Sequence, residues 1–336
     1  ALLVESQSGA SMRTAEAAVV AVASRIPDRQ ARADAVLTAL AGSPAQARPG
    51  LLRVLGRLGG AKALGALRKA AQDEDPAIRD AAIRAICDWQ DAAALDDLLG
   101  LARGAQDQTH RVLALRGFLR LLALPSERTA SQTLSLYAEA MKTAQQDAER
   151  RAAIAGIGGV ADPEALRLLE PCLSDPALAE EAATAMLKVA RAISGTHRDA
   201  AAEAIRKVEA ASASESVKKR IEELKAYMAS FEDFITAWEA AGPYSAPGQG
   251  FDALHDAKFP PEEGDAAVQW KLQPAATNAE RPWAMQLADS LGAAENAVGY
   301  LRTNVFSPAE QEAVLLVGSD DGLKVWLNGQ VIHSIN

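Results

Sequence analysis

One segment of this chain occurs twice, and that repetition limits what it can fold into. DPAIRDAAIRAI, starting at Asp75, returns as DPALAEEAATAM from Asp175. Ala82 aligns with Ala182, Ala85 with Ala185, and Ile86 with Met186. Upstream, GGAKALGAL from Gly59 is echoed by GGVADPEALRLL from Gly158. The unit is a Gly-Gly turn, a helix carrying Ala-Leu-x-x-Leu, an Asp-Pro turn and a second, Ala-rich helix. One such helix pair cannot bury its own apolar stripe, whereas a stack of pairs can.

Local chemistry agrees with this unit. Asp accepts hydrogen bonds from the orphan N–H groups that open a helix, and Pro at the first helical position gives up a donor with no intrahelical partner. Ile78, Ala82, Ile83 and Ile86 recur at helical spacing on one face. The pattern predicts helices near 12–26, 29–41, 45–58, 61–72, 76–89, 91–103, 108–123, 127–143, 147–157, 163–173, 177–193, 197–210 and 214–230. Composition points the same way. Hydrophobic residues are 49% of the chain but aromatics only 4%, so Ala and Leu carry the apolar content.

Past Tyr227 the pattern changes. Gly242-Pro243-Tyr244 and Pro247-Gly248 end helical periodicity. Short apolar and aromatic segments follow at 268–272, 283–288, 297–305, 312–317, 322–327 and 330–334. Val314 and Leu316, then Leu323, Val325 and Leu327, alternate as strand residues do. Asn328-Gly329 marks a hairpin, because a type I′ turn needs positive φ at both central positions. The expected fold class is mainly α: a helical-repeat solenoid over residues 1–230, then an antiparallel β-sandwich over residues 231–336.

Unit length and the Asp-Pro turn resemble HEAT repeats over about residues 10–230. The order W-x-x-x-GPY, FPPE, V-x-W, AV-x-YLRT and L-x-VGSDDGLKVWLNG resembles a jelly-roll accessory domain of multidomain planctomycete-type bacterial proteins. LALRGFLRLL, from Leu113, resembles the HEAT segment of the same proteins. The resemblance implies a scaffold that holds a protein partner on one face of the solenoid. It also implies a sandwich that meets carbohydrate or another domain. A jelly roll has about eight strands, more than the segments found here, so the chain reads as a fragment whose last strands lie beyond Asn336. The alternative implied is the accessory region of a larger carbohydrate-active enzyme, its 3-keto-disaccharide-hydrolase-like domain outside this chain. The resemblance leans toward export, with the localisation left open.

No catalytic constellation emerges. His110, His197, His255 and His333 are scattered, and Cys87 and Cys172 sit in apolar helical contexts as small core residues. No ligand spacing points to a metal, and no cofactor is expected. Glu262 and Glu263 read as solvated loop charge. Asp320, Asp321 and Trp326 are the candidate ligand-binding residues, set against the plainer readings of a polar turn and a buried strand tryptophan. Lys62, Arg68 and Lys69 on one helix and Asp96 and Asp97 on another are candidates for the partner-binding face. A net charge of −9 disfavours nucleic acid, and no apolar run reaches the roughly 18 residues of a membrane span.

Overall fold

The computed structural model describes residues 9–28, 31–264, 267–273, 283–307 and 309–336. The chain divides into two compact units, Ala1–Met186 and Leu187–Asn336.

The first unit is a stack of helix pairs. After α1 (Gly9–Ala23) come α2 (Asp34–Gly42), α3 (Arg48–Leu58), α4 (Ala61–Ala70), α5 (Pro76–Cys87), α6 (Leu95–Gly104), α7 (Gln108–Leu122), α8 (Ala130–Thr143), α9 (Asp147–Ile157), α10 (Pro163–Leu169) and α11 (Ala179–Ile193). The division between units falls inside α11. The first helices of the pairs are α2, α4, α6, α8 and α10. The second helices α3, α5, α7 and α9 each pack on the one before, and α1 packs on α3. These elements follow the expected helices closely. Residues 29 and 30 of the expected first pair lie outside the described residues. Short 3-10 turns stand where longer helices were expected, at Ala45–Ala47, Ala92–Ala94 and Glu170–Ser174. Pro171 accounts for the last, since it lacks the N–H that an α-helix would need there.

The repeat in the sequence is a repeat in packing. Asp75 Oδ1 accepts from the Ala77 N–H at 2.8 Å, and Asp175 Oδ1 accepts from the Ala177 N–H at 2.9 Å. Asp107 and Asp162 cap α7 and α10 in the same way. Ile78, Ala82, Ile83 and Ile86 are buried, as are Ala182, Ala185 and Met186. A Cβ placed on Gly56 would lie 2.8 Å from the Ala85 Cβ, and one on Gly158 would lie 2.8 Å from the Ala185 Cβ. The matched alanines therefore take the same close approach, from a glycine within α3 and from the glycine that caps the end of α9. Leu52, Val54 and Leu55 of α3 are wholly inaccessible, and burying each contributes about 1.5–3 kcal/mol.

The second unit joins helices to two small sheets. Helices α12 (Arg198–Ala211) and α13 (Glu215–Ala229) precede β1 (Trp238–Tyr244), α14 (Phe251–Asp256), α15 (Pro260–Glu263), β2 (Lys271–Gln273), α16 (Leu287–Leu291), β3 (Val298–Arg302), β4 (Leu323–Leu327) and β5 (Gln330–Ile335). The segment between α13 and β1 is held by helix groups. Phe231 is buried, Arg198 Nη2 donates to the Met228 carbonyl at 3.3 Å, and Thr236 Oγ1 donates to the Gly195 carbonyl at 2.7 Å. Strands pair antiparallel in the order β2-β1-β3, with Glu239 opposite Leu272 and Arg302. Strands β4 and β5 form a separate antiparallel hairpin. Its turn has φ 49° at Asn328 and 80° at Gly329, both positive as the sequence predicts.

Two expectations are corrected in this region, and one strand lies outside the expected segments. The stretch around Gly242-Pro243 is the end of strand β1. The irregularity between Ala241 and Tyr244 gives the proline a place where no ladder N–H is required. Residues 283–288 form no strand, and α16 begins at Leu287. Residues 312–317 also form none: no strand lies beside them among the described residues, and a lone strand has no partner for its N–H and C=O groups. Val314 and Leu316 are 87% and 89% exposed.

Candidate partner faces and a C-terminal cleft

The first helices are linked by ion pairs from one repeat to the next. Lys62 Nζ on α4 donates to Asp34 Oδ1 on α2 at 2.7 Å. Arg68 on α4 donates in a fork to both oxygens of Asp97 on α6, at 2.8 and 2.7 Å. Arg103 on α6 pairs with Glu139 on α8, which also accepts from Lys142 at 2.8 Å. The hydrogen bond from Arg68 to Asp97 raises the guanidinium above its ordinary value. The bond from Lys142 holds Glu139 below the usual carboxylate range. Single exposed pairs stabilise by about 0.2–1 kcal/mol, and the forked one has the better geometry.

This accounts for most of the charged residues expected on a partner face. Lys62, Arg68 and Asp97 are engaged between repeats. Lys69 and Asp96 are exposed and stand outside those pairs, with Asp96 adding to the field on Arg68.

The second helices are linked differently. Arg53 on α3 donates to the buried Glu16 of α1 at 2.6 Å. Asp80 on α5 is 2.7 Å from the His110 Nε2 of α7 and also accepts from Arg84 at 2.9 Å. Burial pushes the Asp80 carboxyl up, but these two partners outweigh it and leave the group below its ordinary value. His110, in the first turn of α7, is therefore an inter-helix residue. Arg120 on α7 donates to the Cys87 and Trp89 carbonyls at 3.3 and 2.5 Å, and Arg151 on α9 donates to the Ala177 carbonyl at 2.8 Å. Past the first two residues of α3, α5, α7 and α9, the exposed residues are Arg57, Arg84, Arg116, Arg120 and Arg151, the others being Ala152 and Ala155. The sequence reading missed this strip. Aligning the second helices by their caps and marking the charged residues left on each outer side would have found it.

Both cysteines are buried and unpaired. Burial pushes the Cys87 thiol up to about 12 and raises Cys172 as well. His197 starts α12 without capping it through its side chain.

In the second unit, Asp320 and Asp321 line a cleft of about 550 Å³, together with Phe251, His333 and Asn336. Asn336 Nδ2 donates to Asp252 Oδ1 at 3.0 Å across its edge. Trp326 is elsewhere. It packs at 6.3 Å from Tyr300, which meets Tyr244 edge-on at 5.7 Å, and Tyr244 stacks on Phe259. The structure thus separates the tryptophan from the two aspartates. Glu262 is not a solvated loop charge either. It lies in α15 and accepts from the Tyr300 hydroxyl at 2.5 Å, and burial and this bond hold the phenol well above its usual range. Among the described residues no cluster of His, Cys, Asp and Glu could hold a metal ion, and no helix is long and apolar enough to cross a membrane.

A comparison with curated proteins matches none. Among solved structures, an engineered protein is 18% identical over 59% of this chain and 96% of its own, at a TM-score of 0.36. The S. pombe condensin Cnd3–Cnd2 subcomplex is 17% identical over 61% of this chain and 31% of its own, at a TM-score of 0.38. A de novo designed 16-helix transmembrane nanopore is 19% identical over 66% and 65%, at a TM-score of 0.12. Scores this low carry no argument about function. Residues 33–117, which span α2 to the middle of α7, match the HEAT-repeat family, and the helical part of the chain is a HEAT-like solenoid.

Proposed function

We propose that the helical repeats, residues 1–230, are a non-catalytic scaffold that holds a protein partner, and that residues 231–336 are an appended β module. HEAT repeats indicate a protein-interaction scaffold. The observation that carries the reading is the repeat-to-repeat closure of the first unit. Ion pairs join successive first helices, and close glycine approaches join α3 to α5, α5 to α7 and the end of α9 to α11, so the array presents a regular, preorganised helical surface. Lys69 and Asp96, not held in those pairs, remain contact points on the first-helix side. The test is crosslinking of the full chain to proteins captured from its native extract, with mapping of the crosslinked residues. Partner crosslinks on α3 to α9 are expected. Capture of no protein, or crosslinks confined to residues 231–336, would refute the reading.

A second reading concerns the β module, and the cleft favours it. Asp320 and Asp321 offer acceptors for sugar hydroxyls, with Phe251 and Asn336 beside them. Apolar side chains exposed at Phe306, Val314, Leu316 and Ile332 support a module covered by further strands, as in a jelly roll. Glycan binding by the full chain, lost in Asp320→Ala/Asp321→Ala, is the expected result. Binding that survives the double substitution would place the sugar elsewhere.

A further inference from the structure

The exposed strip of the second helices carries an inference of its own, which rests on the scaffold reading. Each of α3, α5, α7 and α9 packs on its neighbours in the row and on its own first helix, so only a narrow outer strip of each reaches solvent. Beyond the first two residues, that strip exposes Arg57, Arg84, Arg116, Arg120 and Arg151, and the acidic side chain that reaches solvent beside them, Asp80, is tied to Arg84 and His110. The chain as a whole has net charge −9, so this clustering of positive charge runs against its composition. Arg57 and Arg116 have no ion pair or hydrogen bond among the described residues. Arg120 and Arg151 are bonded to backbone carbonyls, which leaves their charge uncompensated. Arg84 is the exception, paired with Asp80, whose other partner is His110. The first-helix side, by contrast, pairs most of its charges between repeats.

We propose that this arginine strip is the docking surface for an acidic, extended segment of a partner protein, laid across α3, α5, α7 and α9. The spacing supports an extended chain. Packed helix axes lie about 8–10 Å apart, and a chain in the extended polyproline-II form advances about 3.1 Å per residue with about three residues per turn, which puts every third side chain on one side. One helix therefore corresponds to about three residues, so a carboxylate at every third position would meet one helix after another. Guanidinium groups suit carboxylates because their donors match both oxygens. A nucleic acid fits less well. Trp89, Phe118 and Tyr137 are buried, so the strip has no aromatic face on which a base could stack, and the net negative charge opposes a polyphosphate.

The experiment is a fluorescence anisotropy titration of the full chain with a labelled peptide repeating Glu-Ser-Ala. The controls are a peptide of equal composition with its glutamates clustered at one end, and a single-stranded oligothymidylate. The spaced peptide should bind best, with affinity falling as salt rises. Arg57→Ala/Arg116→Ala/Arg151→Ala should weaken it about tenfold, three exposed charge pairs' worth. Arg57→Lys/Arg116→Lys/Arg151→Lys should recover most of the loss. Lys142→Ala/Arg167→Ala, on first helices, should change nothing. Arg116→Ala alone has no bond within the chain to lose and should still cost about twofold, should the triple variant fold poorly. Three results would overturn the proposal: unchanged binding by the alanine variants, equal binding of the clustered peptide, or tighter binding of the oligothymidylate. If partner crosslinks still map to α3–α9 while the spaced peptide is ignored, the scaffold stands and the acidic-segment inference falls.

Discussion

Leu55 and Leu316 both sit in apolar runs, and the chain treats them oppositely. Leu55 is wholly inaccessible in α3, while Leu316 is 89% exposed in a segment without regular structure. The difference lies in where each element finds its partners. A helix satisfies its backbone hydrogen bonds internally and needs only a neighbour for its stripe, which the next repeat supplies. A strand needs another strand for its hydrogen bonds as well as its side chains. Segment 312–317 has strand-like alternation but no strand beside it among the described residues, so the same apolar content stays exposed. The repeat region closes by adding copies of itself, and the β region closes only where two strands meet.

The comparison can be broken most sharply at these two residues. Leu55→Ala should cost the first unit about 2–5 kcal/mol in urea unfolding, whereas Leu316→Ala should stay within about 0.5 kcal/mol. Comparable losses at both positions would remove the contrast. A second pair sharpens it inside the helices. A Cβ on Gly117 would lie 2.5 Å from the Cys87 carbonyl oxygen, while one on Gly65 meets nothing within 4 Å. Gly117→Ala should destabilise by about 1–3 kcal/mol, and Gly65→Ala should stabilise by about 0.5–1 kcal/mol through helix propensity. Thermal melts of the two variants should therefore move in opposite directions.

Smaller effects are expected from the links between repeats. A double-mutant cycle on Arg68→Ala and Asp97→Ala should give a coupling of about 0.5–1 kcal/mol, shrinking toward zero near 1 M salt. Coupling that persists in salt would mean the pair is more shielded than its exposure implies. The Asp80 carboxyl, held below its ordinary value, contributes stability above the unfolded-state pKa of about 3.9 and loses it as pH falls through the lower folded value. Asp80→Asn should therefore flatten the acid limb of the stability profile slightly and leave stability at neutral pH lower than in the parent. An unchanged acid limb would argue that the Asp80–His110 contact adds nothing to folding.

The sequence made the helices legible because their signals are local. Asp75 and Asp175 announce helix starts, and the stripe of Ile78, Ala82, Ile83 and Ile86 announces a buried face. The hairpin was legible for the same reason, since Asn328-Gly329 encodes its own turn. The rest depended on distant neighbours. The strand at Trp238–Tyr244 is concealed by Gly242-Pro243, which sits at an irregularity that only the pairing with β3 creates. Residues 312–317 look like a strand, and nothing in their own sequence says whether a partner exists. The candidate site followed the same rule. Asp320 and Asp321 do line a cleft, but Trp326 on the next strand turns toward Tyr300. Lys62, Arg68 and Asp97 stand out as surface charge, yet their partners lie a repeat away. The arginine strip needs four helices to be aligned before it becomes visible.

Hydrogen exchange followed by mass spectrometry on the intact chain tests the central contrast most directly. The account predicts that α3, α5, α7 and α9 exchange slowest and together, as one cooperative array. It predicts that residues 312–317 exchange at the rate of an unstructured chain. Strand-like protection across 312–317, or second helices no slower than that segment, would contradict it.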